Sequence, residues 1–267
     1  MKRTLYTFII LSVITLCSMS SADNVNAQTK TTYTYTKPSW TISIGPVWNL
    51  ATNDSYGRAN YTFQEQVLKD NYGMRWGWGG YLVGKYSPGK TKVDRIFLGV
   101  DYKGMTNSDF DGGNEGANET QFNIVTIDAG YEYLFYGTNF FRSYYGAGLT
   151  GNFISGEYTP AANNTSLTNV AKSFDSQFRF GMELKAGLEF IFSSSKRNLG
   201  LNVGAKYNLM NLFTDDNALP TEGQTTNLNL NDGDGTGGPG FKRYLGMLSI
   251  DIGISIYPDV KKVARTY

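Results

Sequence analysis

The chain has 267 residues and a formal net charge of +1, with 24 Lys and Arg, 23 Asp and Glu, and no histidine. So even a balance gives no electrostatic reason to bind nucleic acid. Without His, neither Ser–His–Asp chemistry nor a His metal site can be built. The 31 Gly, 19 Tyr and 16 Phe set against only 7 Pro make a β-rich composition.

The first residues have the form of a secretory signal. Lys2 and Arg3 supply the positive end and Leu5 to Cys17 a short apolar stretch. Val25-Asn26-Ala27 offers a cleavage site, with Ser20-Ser21-Ala22 as a second candidate. The apolar stretch falls short of the roughly 20 residues that a spanning helix needs. Residues 1–27 are therefore expected to be a signal peptide. Cys17, the only cysteine, lies inside it, so no disulfide is expected in the mature chain. Leu16 is too large for an acylated lipoprotein cysteine to follow it.

Residues 28–39 are a polar leader. Eight segments with a period of two follow. The first runs about Trp40 to Ala51, with Ile42, Ile44, Pro46, Trp48 and Leu50 on one face. The second is about Met74 to Tyr86, with Trp76, Trp78, Leu82 and Tyr86 together, and the third about Arg95 to Met105. The fourth spans about Gln121 to Tyr136, with Val125, Ile127, Ala129, Tyr131, Tyr133 and Phe135 aligned, and the fifth about Ser143 to Ser155. The sixth, Phe178 to Phe192, is the clearest. Its even-numbered residues are apolar, while Arg179, Glu183, Lys185 and Glu189 occupy the other face. At about 15 residues it far exceeds the 5–6 of an ordinary globular strand. The seventh spans about Asn198 to Leu212 and the eighth about Arg243 to Tyr257, followed by a tail at 258–267.

Connections alternate short (Ser87 to Asp94, Gly137 to Arg142, Ser193 to Arg197) and long (Thr52 to Gly73, Thr106 to Thr120, Gly156 to Asp175, Phe213 to Lys242). Outer-membrane barrels have short periplasmic turns and longer extracellular loops. The short turns carry Lys90, Lys92, Arg142, Lys196 and Arg197, whereas the second long loop is acidic through Asp109, Asp111, Glu115 and Glu119.

The spacing predicts an all-β, eight-stranded antiparallel up-and-down transmembrane β-barrel over residues 40–257, apolar side outward. No Lys or Arg falls on the outward rows, where one would cost about 2–4 kcal/mol at mid-bilayer. The inward set is Arg75, Lys85, Arg95, Asp101, Lys103, Asp128, Glu132, Arg179, Glu183, Lys185, Glu189, Lys206 and Asp251. Buried charges must pair, so a salt-bridged lumen is expected. Glycines share that face, where they make room for long side chains. Trp48, Trp76, Trp78, Tyr86, Tyr133, Tyr145, Phe192, Tyr244 and Tyr257 are expected in the two interfacial girdles. A soluble secreted barrel binding a small ligand is the alternative that places the apolar face inward.

From Trp40 to Tyr257 the chain resembles the small bacterial outer-membrane barrel superfamily, the OmpA/OmpX/OmpW-like proteins. The likeness is architectural and carries no short signature. It implies a Gram-negative outer-membrane protein inserted by the barrel assembly machinery and surrounded by lipid and lipopolysaccharide. These families often end on an aromatic residue that closes the last strand; here Tyr257 closes it and a tail, Pro258 to Tyr267, follows.

No catalytic group and no cofactor is expected. A carboxylate pair from Asp128, Glu132, Glu183 and Glu189 is outweighed by the salt-bridged plug. Asp232 and Asp234 in Asn231-Asp232-Gly233-Asp234-Gly235 make a weak cation loop that lacks the third ligand and distal Glu of a true one. The expected function is a structural or surface-recognition role carried by the extracellular loops toward an unknown partner. A narrow pore or transporter for a small solute, polar or hydrophobic, is the alternative.

Overall fold

The structure, a computed structural model, describes residues 31–53, 55–56, 74–106, 119–136, 140–159, 172–192, 197–213, 227–228 and 244–266. The expected signal peptide and the Asp232/Asp234 loop lie outside these. Strands β1 (Thr31–Tyr35), β2 (Trp40–Asn53), β3 (Trp76–Tyr86), β4 (Asp94–Thr106), β5 (Glu119–Tyr136) and β6 (Phe141–Thr159) come first. They are followed by β7 (Lys172–Ile191), β8 (Leu199–Leu209), β9 (Asn227–Leu228), β10 (Leu245–Ile256) and β11 (Lys262–Thr266).

Eight of these form a closed antiparallel barrel in the order β2-β3-β4-β5-β6-β7-β8-β10 and back to β2. The closing seam is β6 on β7, paired from Phe141↔Phe190 to Tyr158↔Lys172 with one irregularity between Ile154 and Gly156. Closure matters because an open edge leaves a row of N–H and C=O groups that hydrocarbon cannot satisfy. β9 adds a short parallel pairing to Ser173 and Phe174 of β7.

At the long-loop end β2, β4, β5, β6 and β7 run past their predicted bounds, whereas β3, β8 and β10 fall short by two or three residues. β6 continues to Thr159 and β7 begins at Lys172, so the two pair where a loop was expected. Lys172 to Gln177 has no apolar alternation, but backbone pairing past the bilayer needs none. At the other end, the Ser39 and Trp40 amides donate to Asp259 at 2.7 and 3.2 Å. Partial burial would raise the Asp259 carboxyl, but those amides hold it below its ordinary value. Separately, β1 and β11 form a two-stranded sheet in which the Thr34 hydroxyl donates to the Val263 carbonyl at 3.4 Å.

Exposure alternates along the barrel strands, with outward rows exposed and inward rows buried. Leu98 is 64% exposed and Leu184 56%, while Arg95 is 1% and Glu132 0%. Leu82, Val100, Ile127, Leu149, Phe180, Ile250, Ile252 and Ile254 join the exposed rows. Soluble monomers rarely expose contiguous apolar surface above a few hundred Å². The soluble alternative required this surface inside, and the structure places it outside.

Glycines admit the larger interior groups. Gly130 and Gly148 face each other across β5 and β6, and a Cβ on either would meet the Phe97 ring edge, at 2.7 and 2.8 Å. Gly130→Ala should therefore destabilise the barrel by about 1–3 kcal/mol through overpacking, measured by equilibrium denaturation in detergent. Val100→Arg, on the lipid face, should cost about 2–4 kcal/mol in liposomes. On a watery surface the same change would stay within about 0.5 kcal/mol.

Candidate functional site: the charged lumen

The interior has three regions along the barrel axis. Nearest the short turns lies an ion-pair cluster. Arg95 on β4 and Glu132 on β5 stand directly opposite in register, with Nη2 to Oε2 at 2.5 Å and Nε to the same oxygen at 2.6 Å. Arg142 on β6 and Glu189 on β7 are likewise register partners, at 2.9 Å. Arg95 Nη1 also reaches Glu189 at 2.7 Å. That contact joins β4 to β7, which are not neighbours in the barrel. Lys85 on β3 completes the crossing, 3.2 Å from Glu132 and 3.7 Å from Glu189.

Tyr144 lies within this cluster, with Lys85 Nζ 4.4 Å and the Arg95 guanidinium 5.2 Å from its ring centroid. Tyr257 lies under Arg142 at 4.8 Å and is wholly buried. It therefore faces the lumen, contrary to the expected girdle position. Its parity with Asp251, Gly253 and Ser255 puts it on the inner face. Arg142, expected on a short turn, is also inside, because β6 begins at Phe141.

The middle layer continues the pairing. Lys185 is 3.2 Å from both Glu132 and Glu183 and 3.8 Å from Asp128, and its ammonium stands over the Phe97 ring. Lys206 pairs with Asp101, which Lys103 approaches at 3.3 Å. Asn202 donates to Asp251 at 2.8 Å and to the Tyr81 hydroxyl at 3.3 Å. A neutral ladder follows. Lys103 donates to Thr126 at 3.0 Å, Thr126 to Asn152 at 2.9 Å, and Asn208 to Asn152 at 3.2 Å. Arg179 is buried and donates to Gln177 Oε1 at 3.2 Å and the Phe178 carbonyl at 2.9 Å.

Arg75, expected in the lumen, lies toward the long loops. It is half-buried at the long-loop end, donating to the Tyr56 hydroxyl at 2.5 Å with its guanidinium 4.7 Å above that ring. Its parity is inward, but it precedes the first residue of β3.

The third region was not anticipated. Ala51, Met74, Met105, Phe122, Ile124, Ile154, Met210, Leu245 and Met247 form a buried apolar layer at the long-loop end. The gap among them has room for about one water molecule. The signal was present: Met105 shares parity with Asp101 and Lys103, and Phe122 and Ile124 share parity with Asp128.

The aromatics divide by end. Trp48 and Trp78 stand 6.5 Å apart and Trp76 and Trp78 6.4 Å apart, with Tyr244 exposed at the same end. Toward the short turns, Trp40 and Tyr86 are 4.7 Å apart and Tyr133 and Tyr145 5.9 Å apart, with Phe192 exposed.

Chemically, the described lumen is dominated by ion pairs that bind Lys85, Arg95, Lys103, Arg142, Lys185 and Lys206 to facing carboxylates. Removing one partner from a buried pair strands the other charge, at a cost of about 3–5 kcal/mol. Glu132→Gln should therefore lower the unfolding free energy by about that amount, read by tryptophan fluorescence during denaturant titration. An unchanged midpoint would show that the cluster is solvated.

No protein-family model and no curated protein matches the chain. Solved structures do. Neisserial surface protein A aligns at 16% identity over 82% of this chain and 97% of that one, with a TM-score of 0.46. Ail, the attachment invasion locus protein of Yersinia pestis, aligns at 13% over 82% and 99%, with a TM-score of 0.42. The outer membrane protein OprG of Pseudomonas aeruginosa aligns at 12% over 83% and 97%, with a TM-score of 0.41. At these identities nothing about function passes from them to this chain. On its own closure, outward apolar rows and ionic interior, the chain is an eight-stranded membrane-spanning β-barrel of the outer-membrane type.

Proposed function

We propose that this barrel is an integral outer-membrane protein with a structural or surface-recognition role, that its long extracellular loops carry that role, and that it neither conducts nor catalyses. The observation that carries the reading is the set of bridges from Arg95 and Lys85 to Glu189 across the barrel interior. Eight strands leave an interior that side chains just fill, and here ion pairs span it. The apolar layer at the long-loop end is a second barrier. A narrow route for a solute would have to open this buried layer of Met, Phe, Ile and Leu side chains.

With the lumen occupied, the loops are the surface left for recognition, and loops on a rigid scaffold are where recognition concentrates. Their sequence is acidic and polar: Asp109, Asp111, Glu115 and Glu119 in one, and Asp215, Asp216, Glu222, Asp232 and Asp234 in another. The partner we assign to them is an extracellular one. In the membrane the barrel meets lipid and, outside, lipopolysaccharide. Insertion falls to the barrel assembly machinery, because the strands are too polar on one face for a helix-type route.

Reconstituted in planar bilayers, the mature chain should give no steady single-channel current, and shortening the loop at 214–243 should leave folding intact. Steady currents that change when Lys185 or Glu183 is neutralised would overturn the closed-lumen reading in favour of a pore.

A further inference from the structure

The short-turn rim of the barrel carries an uneven charge. Among the described residues outside the lumen, Lys37, Lys90, Lys92, Arg197, Lys261 and Lys262 stand against only two carboxylates, Asp94 and Asp259. These cations lie on one continuous sector. Lys261 and Lys262 follow β10, Lys37 precedes β2, and Lys90 and Lys92 sit in the β3–β4 turn, while Arg197, which precedes β8, lays its guanidinium on the Tyr35 and Phe140 rings at 4.2 and 4.4 Å. β8, β10, β2, β3 and β4 are consecutive neighbours around the barrel. Direct contacts tie the sector together. Lys37 Nζ donates to the Thr91 carbonyl at 3.1 Å, and the Thr36 amide donates to the Lys261 carbonyl at 2.9 Å.

Both carboxylates are engaged locally. Asp259 accepts from the Ser39 and Trp40 amides, and Asp94 accepts from the Tyr131 hydroxyl. Lys37, Lys90, Lys261 and Lys262 are exposed. Directly beside them begins the lipid-facing surface, with Trp40 51% exposed and Ile256 40%. Trp and Tyr mark the headgroup level, so the ammonium groups stand at or just beyond the depth of lipid phosphates.

We infer that this basic sector binds the phosphate headgroups of anionic phospholipids in the periplasmic leaflet and holds them as a preferred lipid on the β10–β2–β3 side of the barrel. The inference rests on the reading that the barrel spans the outer membrane with its short turns in the periplasm. Two features select a lipid over a soluble anion. The cations follow the membrane rim, and the acyl chains of a bound lipid would run along the apolar rows below them. An ammonium near an anionic surface contributes about 1 kcal/mol and is screened by salt.

The test uses the full mature chain in vesicles of phosphatidylcholine containing a minor fraction of spin-labelled phosphatidylglycerol, or of spin-labelled phosphatidylcholine as reference. The native chain should enrich the anionic label at its boundary by about fivefold over the neutral one, the weight of one such cation, and high salt should abolish the excess. The triple variant Lys90→Gln, Lys261→Gln, Lys262→Gln should lose the enrichment while keeping heat-modifiable migration on gels. Glu at the same three positions should push it below the neutral reference. Insertion without any anionic preference, or a preference that the triple variant retains, overturns the inference and leaves the membrane reading standing. Failure to insert at all would instead overturn that reading. Capture of peptidoglycan fragments by the native chain, with no lipid preference, would assign the sector to a different partner and overturn the inference.

Discussion

Hydrocarbon has no hydrogen-bonding capacity, and every other feature of this barrel follows from that. A spanning strand must pair on both sides, so the sheet has to close, and the β6–β7 ladder closes it. Once the sheet is closed, each strand has one face in lipid and one in the lumen. The period of two that places Leu184 outside therefore places Glu183 and Lys185 inside. Fold and side-chain sorting are one constraint seen at two levels.

The lumen then faces its own problem. Ions removed from water cost several kcal/mol each unless they are paired. The strand register solves part of this by setting Arg95 opposite Glu132 and Arg142 opposite Glu189. The rest comes from contacts between non-adjacent strands, above all Arg95 to Glu189. These cross-barrel contacts link stability to function. The bridges that neutralise the interior also occupy the path a solute would take. Room for the longest side chains comes from glycine, as where Gly130 and Gly148 admit the Phe97 ring beneath Lys185.

Much of this was legible in the chain itself, and the failures have physical causes. Phe178 to Phe192 announces its strand because lipid and lumen impose opposite chemistries on alternate residues. Lys172 to Gln177 is strand by backbone pairing alone and shows no pattern, and Arg142 reads as a turn residue because periodicity reports faces and not starting points. Tyr257 shows the opposite error, since an aromatic at a strand end looks like a girdle residue until its parity with Asp251 and Gly253 is followed. The apolar layer of Met74, Met105, Met210 and Met247 is masked in the sequence by the ions and glycines that dominate the inward rows, although Met105 and Met247 sit in inward register. Ion-pair partners were illegible in principle. Arg95 and Glu189 are 94 positions apart, and only the barrel's curvature brings them together.

The central claim is that lipid is the solvent for one face of each strand, and β7 offers its most direct test. The only cysteine is Cys17, so with the signal removed single cysteines can be introduced one at a time from Gln177 to Phe190 and spin-labelled in vesicles. Collision rates with oxygen, which partitions into lipid, and with a water-soluble nickel chelate should alternate residue by residue. Labels at even positions should report lipid, and labels at odd positions should be shielded from both reagents. Even-numbered labels that collide freely with the nickel reagent through the middle of the strand would contradict the account.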